Sequence, residues 1–172
     1  MPNFRRYYIP DSLVFITSVT HHRYPYLLGE NSNDLLKVMN RAKKLHKFDI
    51  VAYCILPDHF HWIIDLHDTN GDFSKIMHSV KLNFSRHWRK NNPSSPPRRI
   101  WQARFWDHVI RDEKDLSRHI DYIHWNPVKH MIVMQPNAWI ASSFQFHLSR
   151  GFYDEGWGSN GEPQNIKGLD WE

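Results

Sequence analysis

The chain has 172 residues, 41% of them apolar, which suits one domain with a core of its own. No apolar run approaches the roughly 20 residues of a membrane-spanning helix, and the opening MPNFRRYY lacks a signal-peptide core, so a cytoplasmic protein is expected. Cys54 is the single cysteine, which excludes an internal disulfide and a thiolate-rich zinc site; its apolar neighbours mark a buried, inert thiol.

The formal charge of +4 hides an asymmetry. Residues 154–172 carry Asp154, Glu155, Glu162, Asp170 and Glu172 against Lys167 alone, which leaves 21 bases and 13 acids in residues 1–153. Gly156, Gly158, Gly161 and Gly168 fall in the same stretch. The expected division is a folded body, residues 1–153, followed by a loose, acidic, Gly-rich tail, residues 154–172.

The β-branched and aromatic run LVFITSVT, residues 13–20, predicts a strand. Residues 32–47 place Leu35, Met39, Ala42 and Leu45 or His46 on one helical stripe, with Ser32 or Asn33 as N-cap. DIVAYCIL, 49–56, and FHWIIDL, 60–66, predict two strands joined by a tight turn at Pro57 to Phe60. A second helix over 72–90 follows from Phe73, Ile76, Met77, Val80, Phe84 and Trp88, and NNPSSPP, 91–97, is a loop. FWDHVI, 105–110, predicts a fourth strand, and a third helix runs from about Glu113 to Asn126, stopped by Pro127. The order is that of a ferredoxin-like α+β fold: a split βαβ antiparallel sheet with helices on one face, plus a C-terminal helix.

Three patterns carry chemistry. From Ser79 to Trp106 there is no acid, while Lys81, Arg86, Arg89, Lys90, Arg98, Arg99 and Arg104 alternate with Trp88, Trp101, Phe105 and Trp106. Cations among aromatic faces suit a phosphate backbone with unstacked bases, although a basic segment is also what a solvated face looks like. In Asp58-His59-Phe60-His61-Trp62, residues i and i+2 of a strand share a face, so His59 and His61 can converge on a cation while Phe60, Trp62 and Ile64 face the core. Spacing alone leaves open two structural histidines. In Asp121-Tyr122-Ile123-His124-Trp125-Asn126-Pro127, the i, i+4 pair Tyr122 and Asn126 shares a helical face. A phenol near a cation can attack phosphorus and an amide oxygen is a hard ligand, yet a packed tyrosine and a C-capping Asn fit the same pattern.

His59-Phe60-His61 resembles the His-hydrophobic-His, or HUH, motif of single-tyrosine transposases, and Tyr122-Ile-His-Trp-Asn-Pro-Val128 resembles the nucleophile helix of their REP-associated subgroup. Supporting similarity runs over residues 5–135, through Phe15-Ile16-Thr17, Leu56-Pro57-Asp58-His59 and Phe105 to Arg111. The resemblance implies a single-stranded DNA endonuclease and strand transferase acting on hairpin repeats through a 5′-phosphotyrosine. Tyr122 is then the nucleophile, and His59, His61 and Asn126 hold Mg²⁺ or Mn²⁺. The insertion-sequence relatives usually have Gln where Asn126 stands, which points to the REP-associated branch. Arg5, Arg6, Lys81, Arg86, Arg89, Arg98, Arg99 and Arg104 are the candidate DNA contacts. A monomer or homodimer associated with chromosomal DNA, with no small-molecule cofactor, is expected. Two other classes compete: a non-catalytic RNA- or single-strand-binding module with the same strand order, and a zinc hydrolase taking a third ligand from His108, His119 or His124.

Overall fold

The computed structural model describes residues 6–67, 71–94 and 97–171, which leaves Arg5 outside the described residues. Four strands, β1 (Leu13–Val19), β2 (Asp49–Ile55), β3 (His59–Asp65) and β4 (Trp106–Val109), form one antiparallel sheet in the order β2-β3-β1-β4. Helices α1 (Glu30–His46) and α2 (Phe73–Asn91) connect β1 to β2 and β3 to β4, giving the split βαβ arrangement expected. After β4 come α3 (Glu113–Lys129) and a short α4 (Phe144–Ser149).

The alternation along β1 and β3 sorts residues between two cores rather than between core and water. Val14, Ile16, Phe60, Trp62 and Ile64 pack with Leu35, Met39, Phe73, Met77, Val80 and Phe84 from α1 and α2. Phe15, Ala52, Cys54 and Ile63 face the other way and pack under Tyr122 and Ile123 of α3. The two connecting helices therefore share one face, and α3 lies on the opposite one. Because β3 is buried on both sides, truncating Trp62 to Ala at the centre of the first core would cost about 3–5 kcal/mol.

Local chemistry sets most helix ends. Asp72 and Asp112 cap α2 and α3, accepting from the Lys75 and Asp115 amides. The first helix departs from expectation: it starts at Glu30 behind Gly29, whose φ of 65° suits glycine. Ser32 caps nothing, because its hydroxyl donates to the Gly29 carbonyl. Leu45 is 73% exposed, and Val38 takes its place on the buried stripe. The third helix runs through Pro127 to Lys129, past the expected stop at Asn126. A proline this close to a C-terminus forfeits a single intrahelical bond, and the His130 amide still closes on the Asn126 carbonyl.

Residues 154–171 also differ from the loose tail expected. Ile166 is buried in the core beneath α3, and Leu169 and Trp171 pack against that core. Arg118 donates to the Asn165 carbonyl, and Trp125 donates its indole N–H to the Gly158 carbonyl. At Gly158, φ is 74°, and a Cβ would meet Pro136 at 2.9 Å and Trp125 at 3.1 Å, so the close approach requires glycine. Composition averages the glycines and acids and so conceals these spaced apolar anchors.

Candidate active site

His59 and His61 lie on the α3 side of β3, with ring centroids 5.0 Å apart and planes at 82°. Both are at most 1% exposed. The turn before β3 places Asp58 beside the first ring, whose Nδ1–H donates to Asp58 Oδ1 at 2.6 Å. Arg23 donates to the other Asp58 oxygen at 3.1 Å. Burial pushes this carboxyl up, but the hydrogen bonds from His59 and Arg23 outweigh it and hold Asp58 below its usual range.

Cross-strand register supplies the partner of the second ring. Thr17 of β1 pairs directly with His61, and its hydroxyl lies 2.7 Å from His61 Nδ1. That hydroxyl donates to the Trp171 carbonyl, so it accepts from Nδ1–H of the imidazole. Asp58 and Thr17 thus each take an Nδ1–H, which makes Nε2 the nitrogen of each ring that a metal would use.

Across from them, α3 brings Tyr122 and, one turn later, Asn126. Tyr122 is 1% exposed and Asn126 fully buried. Asn126 Oδ1 lies 3.3 Å from His59 Nε2, and the Tyr122 ring stands edge-on to His61 with centroids 5.4 Å apart. Two imidazoles and an amide oxygen gathered on one side of the sheet are a donor set of the kind Mg²⁺ or Mn²⁺ accepts. The four residues singled out by spacing are therefore brought together.

Several neighbours went unseen in the sequence. Tyr122 Oη accepts hydrogen bonds from Lys129 Nζ at 2.9 Å and from the Trp171 amide at 3.1 Å. His130 sets its ring 4.9 Å from that of His59. His124, between Tyr122 and Asn126, points away from the site into a buried network. It donates from Nδ1 to Tyr153 Oη, which donates to Asp121, and it accepts from Ser143 on Nε2. Burial, then the nearby His147, holds the His124 pKa well below 6.5, so the ring is neutral.

His108, Asp115 and His119 form a second cluster with mutual ligand distances within 4.8 Å. Asp115 Oδ2 already accepts from His108 Nε2 at 2.8 Å and from the Arg111 amide and guanidinium, so the cluster ties the end of β4 to the start of α3. The rings of His108 and His119 stack with planes 10° apart and centroids 4.8 Å apart, and Asp115 bonds to both. Of the three residues sought as third ligand of a zinc hydrolase, His124 is committed to Ser143 and Tyr153 and His108 to Asp115, while His119 is tied through Nδ1 to the Asp115 carbonyl. An RNA-recognition module stacks bases on an open sheet, and here α3 covers that face.

The basic candidates separate. Arg6, Lys81, Arg89, Arg98 and Arg99 line a groove of about 460 Å³ with Trp101 and Phe105. Arg6 stacks on Phe105 at 4.0 Å and pairs with Asp107. Lys81 donates to the Gln102 carbonyl, and burial, reinforced by Arg6, lowers its pKa to about 8. Arg86 and Arg104 are exposed and outside the groove. Thr20 bridges to Trp101 and the Gln102 amide donates to Val19, the residue paired with His59, so the groove adjoins the histidine end of the sheet.

Comparison with known proteins gives the class to which this arrangement belongs: a tyrosine transposase. The chain belongs to the family described as "Transposase IS200 like", which matches residues 12–125. It is 36% identical over 157 residues to the REP-associated tyrosine transposase of Escherichia coli, covering 91% of each chain. The Haemophilus influenzae counterpart is 35% identical over 167 residues, covering 93% of this chain and 95% of that one. A solved REP-associated tyrosine transposase bound to a REP hairpin superposes with a TM-score of 0.83 at 32% identity, over 99% of this chain and all of the other. A structure from Deinococcus radiodurans, 16% identical with a TM-score of 0.52 over 72% of this chain and 95% of its own, shares the fold. No helix among the described residues is long and apolar enough to cross a membrane.

Proposed function

We propose that the chain cuts and rejoins single-stranded DNA at REP-type hairpins, with Tyr122 as nucleophile and His59, His61 and Asn126 as ligands of Mg²⁺ or Mn²⁺. The observation that carries the reading is the burial of all four side chains in one place, with Asn126 Oδ1 3.3 Å from His59 Nε2 and Tyr122 edge-on to His61. The relative solved with a REP hairpin supports the choice of substrate. The catalytic domain is taken as residues 1–153, with residues 154–172 as an appended acidic segment, acting on chromosomal DNA in the cytoplasm as a monomer or homodimer.

In the cleavage step Tyr122 Oη bonds to phosphorus and the P–O3′ bond breaks. The phenol gives up its proton through solvent, the freed 3′ oxygen takes one, and the 5′ phosphate stays on the tyrosine. Reversal by a 3′ hydroxyl reseals the strand, so no outside energy source is consumed. The bound cation supplies polarisation of a nonbridging phosphate oxygen. Asp58 and Thr17 hold the two imidazoles in the ligating tautomer, and α3 holds Tyr122 and Asn126 on one face. The groove of Arg6, Lys81, Arg89, Arg98 and Arg99 takes the phosphate backbone.

The test uses hairpin oligonucleotides from the flanks of the protein's own gene, single-stranded and duplex, with Mg²⁺, Mn²⁺ or a chelator. A covalent adduct on the peptide containing Tyr122 is expected with metal and single strands only, and Tyr122→Phe should lose it while still binding the hairpin. An adduct on another tyrosine, or full cleavage by Tyr122→Phe, overturns the assignment.

A further inference from the structure

The geometry points to Lys129 as a catalytic residue: its ammonium stabilises negative charge on Tyr122 Oη in both cleavage and rejoining. This inference rests on the reading of Tyr122 as nucleophile and adds a residue to it. Lys129 lies seven positions after Tyr122, two turns along α3 and about 10 Å away in rise. Helical side chains lean toward the N-terminus, so a long lysine can reach back over that distance. A lysine in the last turn ordinarily answers the helix dipole by pointing at the final carbonyls. This one instead donates from Nζ to Tyr122 Oη at 2.9 Å, with Nζ 4.9 Å from the ring centroid. Asp170 shares the same ammonium at 2.9 Å, but its side chain is 76% exposed and such a pair is weak in water.

Charge appears on Oη at two moments. When the phenol attacks, the oxygen loses its proton as the Oη–P bond forms. When a 3′ hydroxyl reseals the strand, the Oη–P bond breaks and its electron pair returns to the same oxygen. An ammonium held against Oη answers both, while keeping its own protons. The reaction remains a transfer of phosphorus between two oxygens, with no redox change and no net gain or loss of protons. A donor fixed in a water-poor site before charge develops lowers the barrier without reorganising.

The experiment compares single-turnover adduct formation, and resealing of the isolated adduct, in wild type, Lys129→Met, Lys129→Arg and Lys129→Cys. Lys129→Met should slow both directions by about 100-fold, the usual loss for one such donor, while hairpin affinity and melting temperature hold. Lys129→Arg should recover part of the rate. Treating Lys129→Cys with 2-bromoethylamine restores an ammonium at nearly the original length, whereas iodoacetamide gives a neutral chain of similar size. Cys54 is fully buried and its thiol pKa is raised by burial, so alkylation falls on the introduced thiol. Rescue by the amine alone is expected. A Lys129→Met rate within twofold of wild type, or equal rescue by both reagents, overturns the role of Lys129 and leaves Tyr122 untouched. A wild-type adduct on any residue other than Tyr122 overturns the underlying reading instead.

Discussion

Trp171 donates its backbone N–H to the Tyr122 hydroxyl at 3.1 Å, and its ring sits 4.9 Å from the Tyr122 ring. With Lys129 donating to the same oxygen, both lone pairs of the phenol are occupied. A phosphate can be attacked only after one donor leaves, and Trp171 sits on the segment with fewer anchors. Ending the chain at Lys167 should therefore speed adduct formation by about five- to tenfold, the equivalent of one net hydrogen bond plus ring contact. Ending it at Tyr153 also removes Ile166 from the core, which costs about 2–3 kcal/mol and lowers the melting temperature by roughly 5–10 °C. Equal melting temperatures for the two truncations would show that Ile166 contributes no stability.

Asp58 and Thr17 stand behind the two histidines and orient them. Asp58→Ala and Thr17→Val leave both imidazoles in place but remove the acceptors that fix their tautomers. Metal affinity, measured by Mn²⁺ titration of adduct formation, should fall by about 10- to 100-fold in each, and saturating Mn²⁺ should restore much of the rate. His59→Ala and His61→Ala should not be rescued in this way, because they lose the ligand itself. Unchanged Mn²⁺ dependence in both acceptor variants would make Asp58 and Thr17 packing residues only.

These variants mark what the sequence could and could not reveal. Strand period put His59 and His61 on one face, and helical period did the same for Tyr122 and Asn126, so the central four residues were legible. Thr17 was not, because only the β1–β3 register makes it the neighbour of His61. Lys129 lay beyond Pro127, where a helix is expected to stop. Trp171 was hidden by the glycine and acid content around it. The basic segment was legible as a stretch but not as a surface: Arg6 joins it from far along the chain by stacking on Phe105, while Arg86 and Arg104 leave it.

Stability should fall as the solution is acidified below neutrality. The pKa of His119 is lowered to about 4, mainly by burial. Its Nδ1–H donates to the Asp115 carbonyl, and Nε2 has no partner among the described residues, so protonation would bury an unpaired N–H. The unfolded chain takes up this proton near pH 6.5 and the native state does not until about pH 4. Between those values the unfolded state binds more protons, so stability is lost as pH falls, by about 3 kcal/mol at most from this group. His124, also held neutral by burial, adds a loss of the same sign. Urea midpoints should drop from pH 7 to pH 5, and His119→Phe should flatten the dependence. An identical slope in that variant would assign the pH effect to other groups.

The last prediction separates phosphate binding from solvation in the basic groove. Arg98 and Arg99 are exposed and line the groove beside Trp101 and Phe105, whereas Lys81 is partly spent on the Gln102 carbonyl and Arg6 on Asp107. The two exposed arginines are thus the ones with most charge to offer a phosphate. Each phosphate contact to single-stranded DNA contributes roughly 0.7 to the slope of log K against log salt, so Arg98→Gln with Arg99→Gln should flatten the slope by about 1.4. Arg86→Gln with Arg104→Gln removes the same formal charge from outside the groove and should weaken binding with a much smaller change in slope. Equal slopes for the two double variants would mean that DNA responds to the net charge of the body rather than to the groove. A change confined to the first pair would place the backbone beside Trp101, at the end of the sheet where Val19 pairs with His59.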